Sequence, residues 1–196
     1  VAIPILLGNR IFIQQLIKEN ELDLGECEII DPIEQEAKRL NYAAQFFKLR
    51  QRKGMTYPQA KKAMLNDNYF GMMMVNNEEA DAFISGMSND YPETIRPALE
   101  IIGPESGIDR VAGMYILSNK NGNYFLSDTT VNLNPSADQL VDIIGLTAQA
   151  VRFFDVEPRM AGLSYSNFGS AKGEIPQKMA KAVAKAQAKW PKLLID

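Results

Sequence analysis

Arg50, Arg96 and the segment Ala161–Gly173 (AGLSYSNFGSAKG) carry the residue types and spacings that could do chemistry. The segment turns from apolar residues to the hydroxyls of Ser164, Ser166 and Ser170, with Gly169 and Gly173 beside them. Hydroxyls can donate to an anion, and glycines let backbone amides approach it closely. The combination suits a phosphate or a similarly charged group. It is not a nucleotide loop of the GxxxxGK[ST] or GxGxxG kind, because neither spacing occurs. A polar loop that only caps the following helix would carry the same residues, and at this point both readings stand.

From Glu34 the apolar residues Ala37, Leu40, Ala43, Ala44 and Phe47 recur at three- and four-residue spacing, which predicts a helix ended by Gly54. Arg50 falls on the edge of that stripe, while Arg52 is turned away. A guanidinium there is costly unless it meets an anion or a carboxylate. The alternative is an edge arginine whose methylenes cover the core while its head reaches water. Arg96 lies in TIRPALEII. With Thr94 as N-cap, Arg96 and Pro97 fall in the first helical turn, where amide hydrogens have no intrahelical partner. DAFISG (Asp81–Gly86) reads as a strand before it and MSNDYPE as the connecting loop. Free amides, a favourable dipole and a guanidinium in one place make an anion site. A helix start whose arginine pairs with a neighbouring carboxylate is the competing reading.

These groups need a scaffold, and 196 residues of which 46% are hydrophobic can build one domain or parts of two. IPILLG and CEIID read as short buried strands flanking a helix that reaches about Asn20. Thr56 and Gln59 form a capping box for a helix running toward Asn68, and Ser136 and Gln139 form another for a helix to about Phe154. The three methionines of YFGMMMV read as adaptable core filling rather than a cofactor groove. VAGMYIL and NYFLSDTTVN, joined by NKNG, predict an antiparallel hairpin. PRMAGLSYS reads as a further strand, and IPQKMAKAVAKAQAKW as a helix with Lys178, Lys181, Lys185 and Lys189 on a solvated face. Strands alternating with helices argue for an α/β fold with a largely parallel sheet. In such sheets ligands gather beyond the carboxyl ends of strands, where the Arg96 and serine segments are expected. Pro104–Gly107 marks the expected boundary between a first lobe, 1–105, and a second, 106–196.

Composition excludes several classes. The net charge of -3, from 21 basic and 24 acidic residues, gives no footprint for nucleic acid. No apolar run approaches the roughly 20 residues that span a bilayer, and the single Cys27 cannot close an internal disulfide, so a cytoplasmic protein is expected. The absence of histidine removes Ser/His/Asp and Cys/His catalysis, and no metal site is expected. The opening VAIPILLGN and closing LLID read like strand segments, as in a piece of a longer chain with both lobes partial.

FFKLRQRKGMT, TIRPALEIIG, FLSDTTVNLNP and LSYSNFGS, in that order along the sequence, resemble the phosphate acetyl/butyryl-transferase family, and the resemblance covers essentially the whole chain. Within that family, the SNFGS ending, the DTTVN segment and the PRxAxLSYS lead-in most resemble the phosphotransacetylase-like domain fused behind the catalytic domain of large bacterial NADP-dependent malic enzymes. The resemblance implies the phosphotransacetylase fold: two-lobed, three-layer α/β/α, isocitrate/isopropylmalate dehydrogenase-like, with mostly parallel sheets and an antiparallel hairpin.

It also implies an acyl-CoA or phosphate site at Arg50, Ser85, Gly86, Thr94, Arg96, Ser164, Tyr165, Ser166, Gly169 and Ser170, in a cleft between the lobes. Asp128 would be structural. The family's catalytic serine–arginine pair and aspartate would lie beyond LLID, and no residue present is an obvious base. The first expectation is a regulatory and oligomerisation module that binds acetyl-CoA and controls an attached malic enzyme, which makes pyruvate, CO2 and NADPH from malate. The alternative is an active phosphate acetyltransferase. The expected ligand is acetyl-CoA or acetyl phosphate, with no cofactor in this segment. NADP and a divalent metal would belong only to the attached domain. A homo-oligomer is expected, with neither nucleic acid nor membrane as partner.

Overall fold

The computed structural model describes residues 2–25, 27–87, 89–106, 108, 110–167 and 170–196, and the chain divides into two compact units, Val1–Gly103 and Pro104–Asp196. The class is α/β, with two parallel strand pairs and one antiparallel pair.

In the first unit β1 (Ile5–Leu7) and β2 (Glu28–Ile30) pair in parallel across α1 (Arg10–Glu19). Both strands are read from IPILLG and CEIID. Five further segments follow: α2 (Glu36–Arg50), a 3-10 turn (Gln51–Lys53), α3 (Tyr57–Ala63), α4 (Asp67–Asn76) and α5 (Tyr91–Ile101). The Thr56/Gln59 capping box is present, but the helix it opens stops at Ala63. Asn66 then caps α4, its side chain accepting from the amides of Asn68 and Tyr69. Two helices stand where one was expected, because an Asn positioned to cap competes with helix continuation.

The core of this unit is aromatic and methionine-rich: Tyr42, Phe46, Met64, Phe70 and Met73 are fully buried. Met72 and Met74 join them, so the methionine run fills core as its composition suggests. Tyr42 packs on Phe70 at 5.1 Å between ring centroids, and Phe46 on Tyr69 at 5.4 Å. The second contact fixes the ring of Tyr69 while its hydroxyl points elsewhere.

DAFISG is not a strand: no ladder hydrogen bonds pair it among the described residues. What holds it is Phe83, whose ring lies over the α4 backbone at Gly71. A Cβ there would come within 2.6 Å of Phe83 Cδ2 and 2.9 Å of Leu7 Cδ1. Alanine at 71 would gain about 1 kcal/mol of helix propensity and lose about 2 kcal/mol to overpacking. Gly71→Ala is therefore expected to lower stability by about 1 kcal/mol in urea unfolding, and to loosen the loop behind Phe83.

In the second unit β3 (Met114–Asn119) and β4 (Gly122–Ser127) form the predicted hairpin, with Asn119 opposite Gly122 across the turn. α6 (Ala137–Phe153) begins at the Ser136/Gln139 capping box. β5 (Arg159–Met160) pairs in parallel with β6 (Leu194–Ile195) across α7 (Glu174–Lys189). The pairing extends through the Gly162 amide to Asp196 oxygen at 2.7 Å, but Leu163–Ser166 joins no ladder among the described residues. The strand read from PRMAGLSYS is thus two residues long.

The lysine face of α7 does more than meet water. Lys178 donates to Asn134 at 2.7 Å, and Lys185 and Lys189 reach Asp138 and Asp142. The partners advance in the same direction on both elements, so α6 and α7 run parallel. Exposed pairs of this kind contribute about 0–1 kcal/mol each; the packing of Ile144, Ala148, Ala186, Leu193 and Ile195 between the helices holds the unit. Among the described residues, no helix is long and apolar enough to cross a membrane.

Candidate functional site

The first unit brings several of the predicted residues onto one patch, with a correction to how α5 presents them. The helix starts at Tyr91, after Asp90, not after Thr94. Pro92 and Glu93 in the first turn are the stronger start signal, since a proline is tolerated there and a carboxylate favours the positive end of the dipole. Arg96 and Pro97 consequently lie inside the helix, and Thr94 does not cap it. The Thr94 hydroxyl is buried without a hydrogen-bond partner. The anion site expected from free first-turn amides at Arg96 is therefore not what the helix offers; the guanidinium acts from its side.

On that side Arg96 and Glu100 are one turn apart. Tyr69, held by Phe46, donates its hydroxyl to Glu100 Oε2 at 2.8 Å. Arg50, at the end of α2, meets Glu100 Oε1 at 3.7 Å, and both side chains are about one-fifth exposed. This answers the question left by Arg50: it meets a carboxylate, loosely, and its Nε is buried without a partner. Burial and the hydrogen bond to Glu100 push the Tyr69 hydroxyl up to about 12, against the opposing fields of Arg96 and Arg50. Two guanidinium groups thus flank one tyrosine hydroxyl. Arg96 is exposed and makes no ion pair among the described residues.

Ser85 and Gly86 sit on the loop held by Phe83. Ser85 donates to Asn68 Oδ1 at 2.6 Å, and Asn68, 2% exposed, donates to the Glu93 carbonyl at 3.2 Å. Gly86 has φ +124, with open space where a side chain would stand. Sequence reasoning missed Asn68, Tyr69 and Glu100. Pro97 was the available signal for Asn68: a proline within a helix leaves the carbonyl four residues back, here Glu93, without its amide donor.

In the second unit the serine loop follows β5. Ser164 Oγ accepts from the Ser166 amide at 3.1 Å, and Ser166 Oγ accepts from the Ala171 amide at 2.9 Å while lying 3.3 Å from Ser170 Oγ. The hydroxyls therefore shape the loop first. They do not cap α7, whose N-cap is Gly173 with no side-chain hydrogen bond. Tyr165 is 67% exposed, and Gly169 lies outside the described residues. Ser164 and Ser166, with Lys172 and the Met179 to Val183 face of α7, line a cleft of about 590 Å³. That volume admits a small ligand.

Asp128 is a structural hub, not a surface acid. Its Oδ1 accepts from the Gly113 amide at 2.8 Å and the Val131 amide at 3.2 Å, and its Oδ2 from the Asn132 amide at 2.7 Å and the Asn132 side chain. Burial disfavours the charge, but these hydrogen bonds outweigh it and hold the carboxyl below its ordinary value. Sequence reasoning also passed over Asp67 beside the end of β1. Burial, and then the nearby Asp31 carboxylate, push its carboxyl up. Among the described residues no group of three or more His, Cys, Asp or Glu could hold a metal ion.

Comparison with known proteins gives a consistent set of relatives. A family model described as phosphate acetyl/butaryl transferase matches residues 1–196. A phosphate acetyltransferase of Bacillus subtilis is 38% identical over 193 residues, covering 98% of this chain and 59% of the relative. The NADP-dependent malic enzyme of Escherichia coli is 34% identical over 200 residues, covering 100% of this chain and 26% of the enzyme. Among solved structures, a phosphotransacetylase from Streptococcus pyogenes superposes with TM-score 0.83 at 32% identity, and EutD phosphotransacetylase from Staphylococcus aureus with TM-score 0.79 at 33%. Each comparison covers 98% of this chain and 59% of the solved one. The fold is that of the phosphotransacetylases. The chain spans 59% of the length of the first relative it matches.

Proposed function

Because the chain belongs to the phosphate acetyl/butaryl transferase family, we propose that it forms part of a phosphate acetyltransferase, moving an acetyl group between coenzyme A and phosphate. The observation that carries this reading is the pair Arg50 and Arg96 flanking Tyr69. One arginine is held loosely by a carboxylate, and the other has no ion pair among the described residues. Two guanidinium groups in that state suit a phosphoryl group, whose oxygens a planar fork can meet two at a time.

In the reaction the coenzyme A thiolate attacks the carbonyl carbon of acetyl phosphate. A C–S bond forms, the C–O bond to phosphate breaks, and phosphate leaves with the electron pair. Arg50 and Arg96 would hold the phosphoryl oxygens and offset their growing charge. The thiol proton needs a base, and none of the described residues is assigned that role. The protein would act in the cytoplasm as a homo-oligomer, on coenzyme A esters and acyl phosphates.

The E. coli and Salmonella typhimurium malic enzymes, each 34% identical over 200 residues, support a second reading. There the chain is a module that binds acetyl-CoA and regulates an attached malic enzyme. A sensor needs only a difference in affinity between two states of the assembly. Relatives described as phosphate acetyltransferases include one that is 38% identical over 193 residues, and that favours the transferase. The deciding experiment is an assay of acetyl phosphate formation from acetyl-CoA and phosphate by the full-length protein. Turnover at 1–10³ per second is expected; acetyl-CoA binding without turnover would leave the regulatory reading in its place.

A further inference from the structure

Ser85 presents only hydrogen-bond acceptor capacity to a ligand, and the geometry points to it as a contact that selects the thiol-bearing substrate and not the phosphate. The chain of donors and acceptors that leads to Ser85 begins at Pro97. That residue lies inside α5 and has no amide hydrogen, so the Glu93 carbonyl four residues earlier loses its helical donor. The Asn68 side chain supplies the replacement, its Nδ2 donating to Glu93 oxygen at 3.2 Å.

A carbonyl can only accept, so this contact fixes which end of the Asn68 amide is nitrogen. The other end, Oδ1, must then face Ser85, 2.6 Å away. An amide oxygen also only accepts, so the Ser85 hydroxyl hydrogen is committed to Asn68. Asn68 is 2% exposed on α4, and the ring of Phe83, two residues before Ser85, lies over the same helix at Gly71. The serine therefore cannot swing round and donate outward without leaving a buried amide oxygen unsatisfied.

What Ser85 offers to solvent is its oxygen lone pairs. A fully ionised phosphoryl group has no hydrogen to give them and would be repelled. A neutral N–H or S–H is the complementary partner, and coenzyme A carries both on its pantetheine arm, while acetyl phosphate carries neither. Asn68 is the positioning residue, and Ser85 the specificity-determining contact. This narrows the wider role expected of Ser85 as either an acyl-CoA or a phosphate contact, and it rests on the transferase reading above.

The test measures binding of coenzyme A and, separately, of acetyl phosphate to the full-length protein by calorimetry at pH 8, where a phosphoryl group with a second pKa near 6 is ionised. Ser85→Ala leaves the Asn68 amide oxygen without its donor, so the variant is expected to fold with a modestly lowered melting temperature. It should weaken coenzyme A about tenfold and leave acetyl phosphate within twofold of wild type. Pro97→Gly would return an amide hydrogen to the helix, where it would compete for the Glu93 carbonyl and free Asn68. It is expected to shift the preference in the same direction, less strongly. Weaker acetyl phosphate binding with coenzyme A unaffected, or no change in either, would overturn the assignment while leaving the transferase reading intact. Wild-type protein that binds neither ligand would remove both.

Discussion

Replacing Arg96 with alanine is expected to lower kcat/KM for acetyl transfer in the full-length enzyme by about 10²–10³-fold, the usual loss when one preorganised donor to developing charge is removed. The same substitution should leave thermal stability almost unchanged, within about 0.5 kcal/mol. Both expectations come from its surroundings. Arg96 is exposed on the side of α5, and no ion pair engages it among the described residues, so the fold draws little from its charge. Its field nevertheless reaches the Tyr69 hydroxyl together with that of Arg50.

Arg50→Ala should behave differently. Glu100 would keep Tyr69 but lose its cation, and the guanidinium is only about one-fifth exposed, so activity and about 1 kcal/mol of stability should fall together. Arg96→Lys sharpens the test, because an ammonium keeps the charge and loses the planar fork. A loss of about tenfold, between wild type and alanine, is expected. Should Arg96→Ala retain activity within threefold of wild type, the pair is structural and the phosphoryl site lies elsewhere.

How much of this was legible in the sequence depends on whether local chemistry decided the outcome. Thr56/Gln59 and Ser136/Gln139 capped helices as expected, because a capping box is settled by residues three apart. The hairpin around Asn119 to Gly122 and the methionine core of α4 were readable for similar reasons. The start of α5 was not. Two competing signals lay four residues apart, and the pair Pro92 and Glu93 prevailed over Thr94. DAFISG alternates like a strand, yet a strand also needs a partner, and that is a tertiary fact.

The site shows the same division. Arg50 and Arg96 could be singled out by type and position. Glu100, Tyr69 and Asn68 could not, since what makes them matter is contact across 17 to 50 residues of chain. The serine loop fell between these cases: its hydroxyls were visible, but their use in shaping the loop appears only in the hydrogen bonds.

The second large effect is expected at Asp128, where the fold rather than the chemistry is at stake. Asp128→Ala leaves the amides of Gly113, Val131 and Asn132 without their acceptor at the base of the hairpin. Hydrogen bonds to a charged group contribute about 1.5–3 kcal/mol each, though neighbouring ones do not add. A loss of about 3 kcal/mol is expected, a fall of about 6–12 °C in Tm at 2–4 °C per kcal/mol.

The pH dependence separates charge from packing. The carboxyl is held below its ordinary value of 3.8, so the folded state binds its proton less readily than the unfolded chain. The stability it lends is complete above that ordinary value and is lost as pH falls through the lowered one. Asp128→Asn keeps one acceptor but turns an amino group toward donors, and should cost about 2 kcal/mol at pH 7. Its deficit against wild type should shrink as unfolding is measured at successively lower pH below 4. A deficit independent of pH would mean that the side chain holds the hairpin by shape, with the charge contributing nothing.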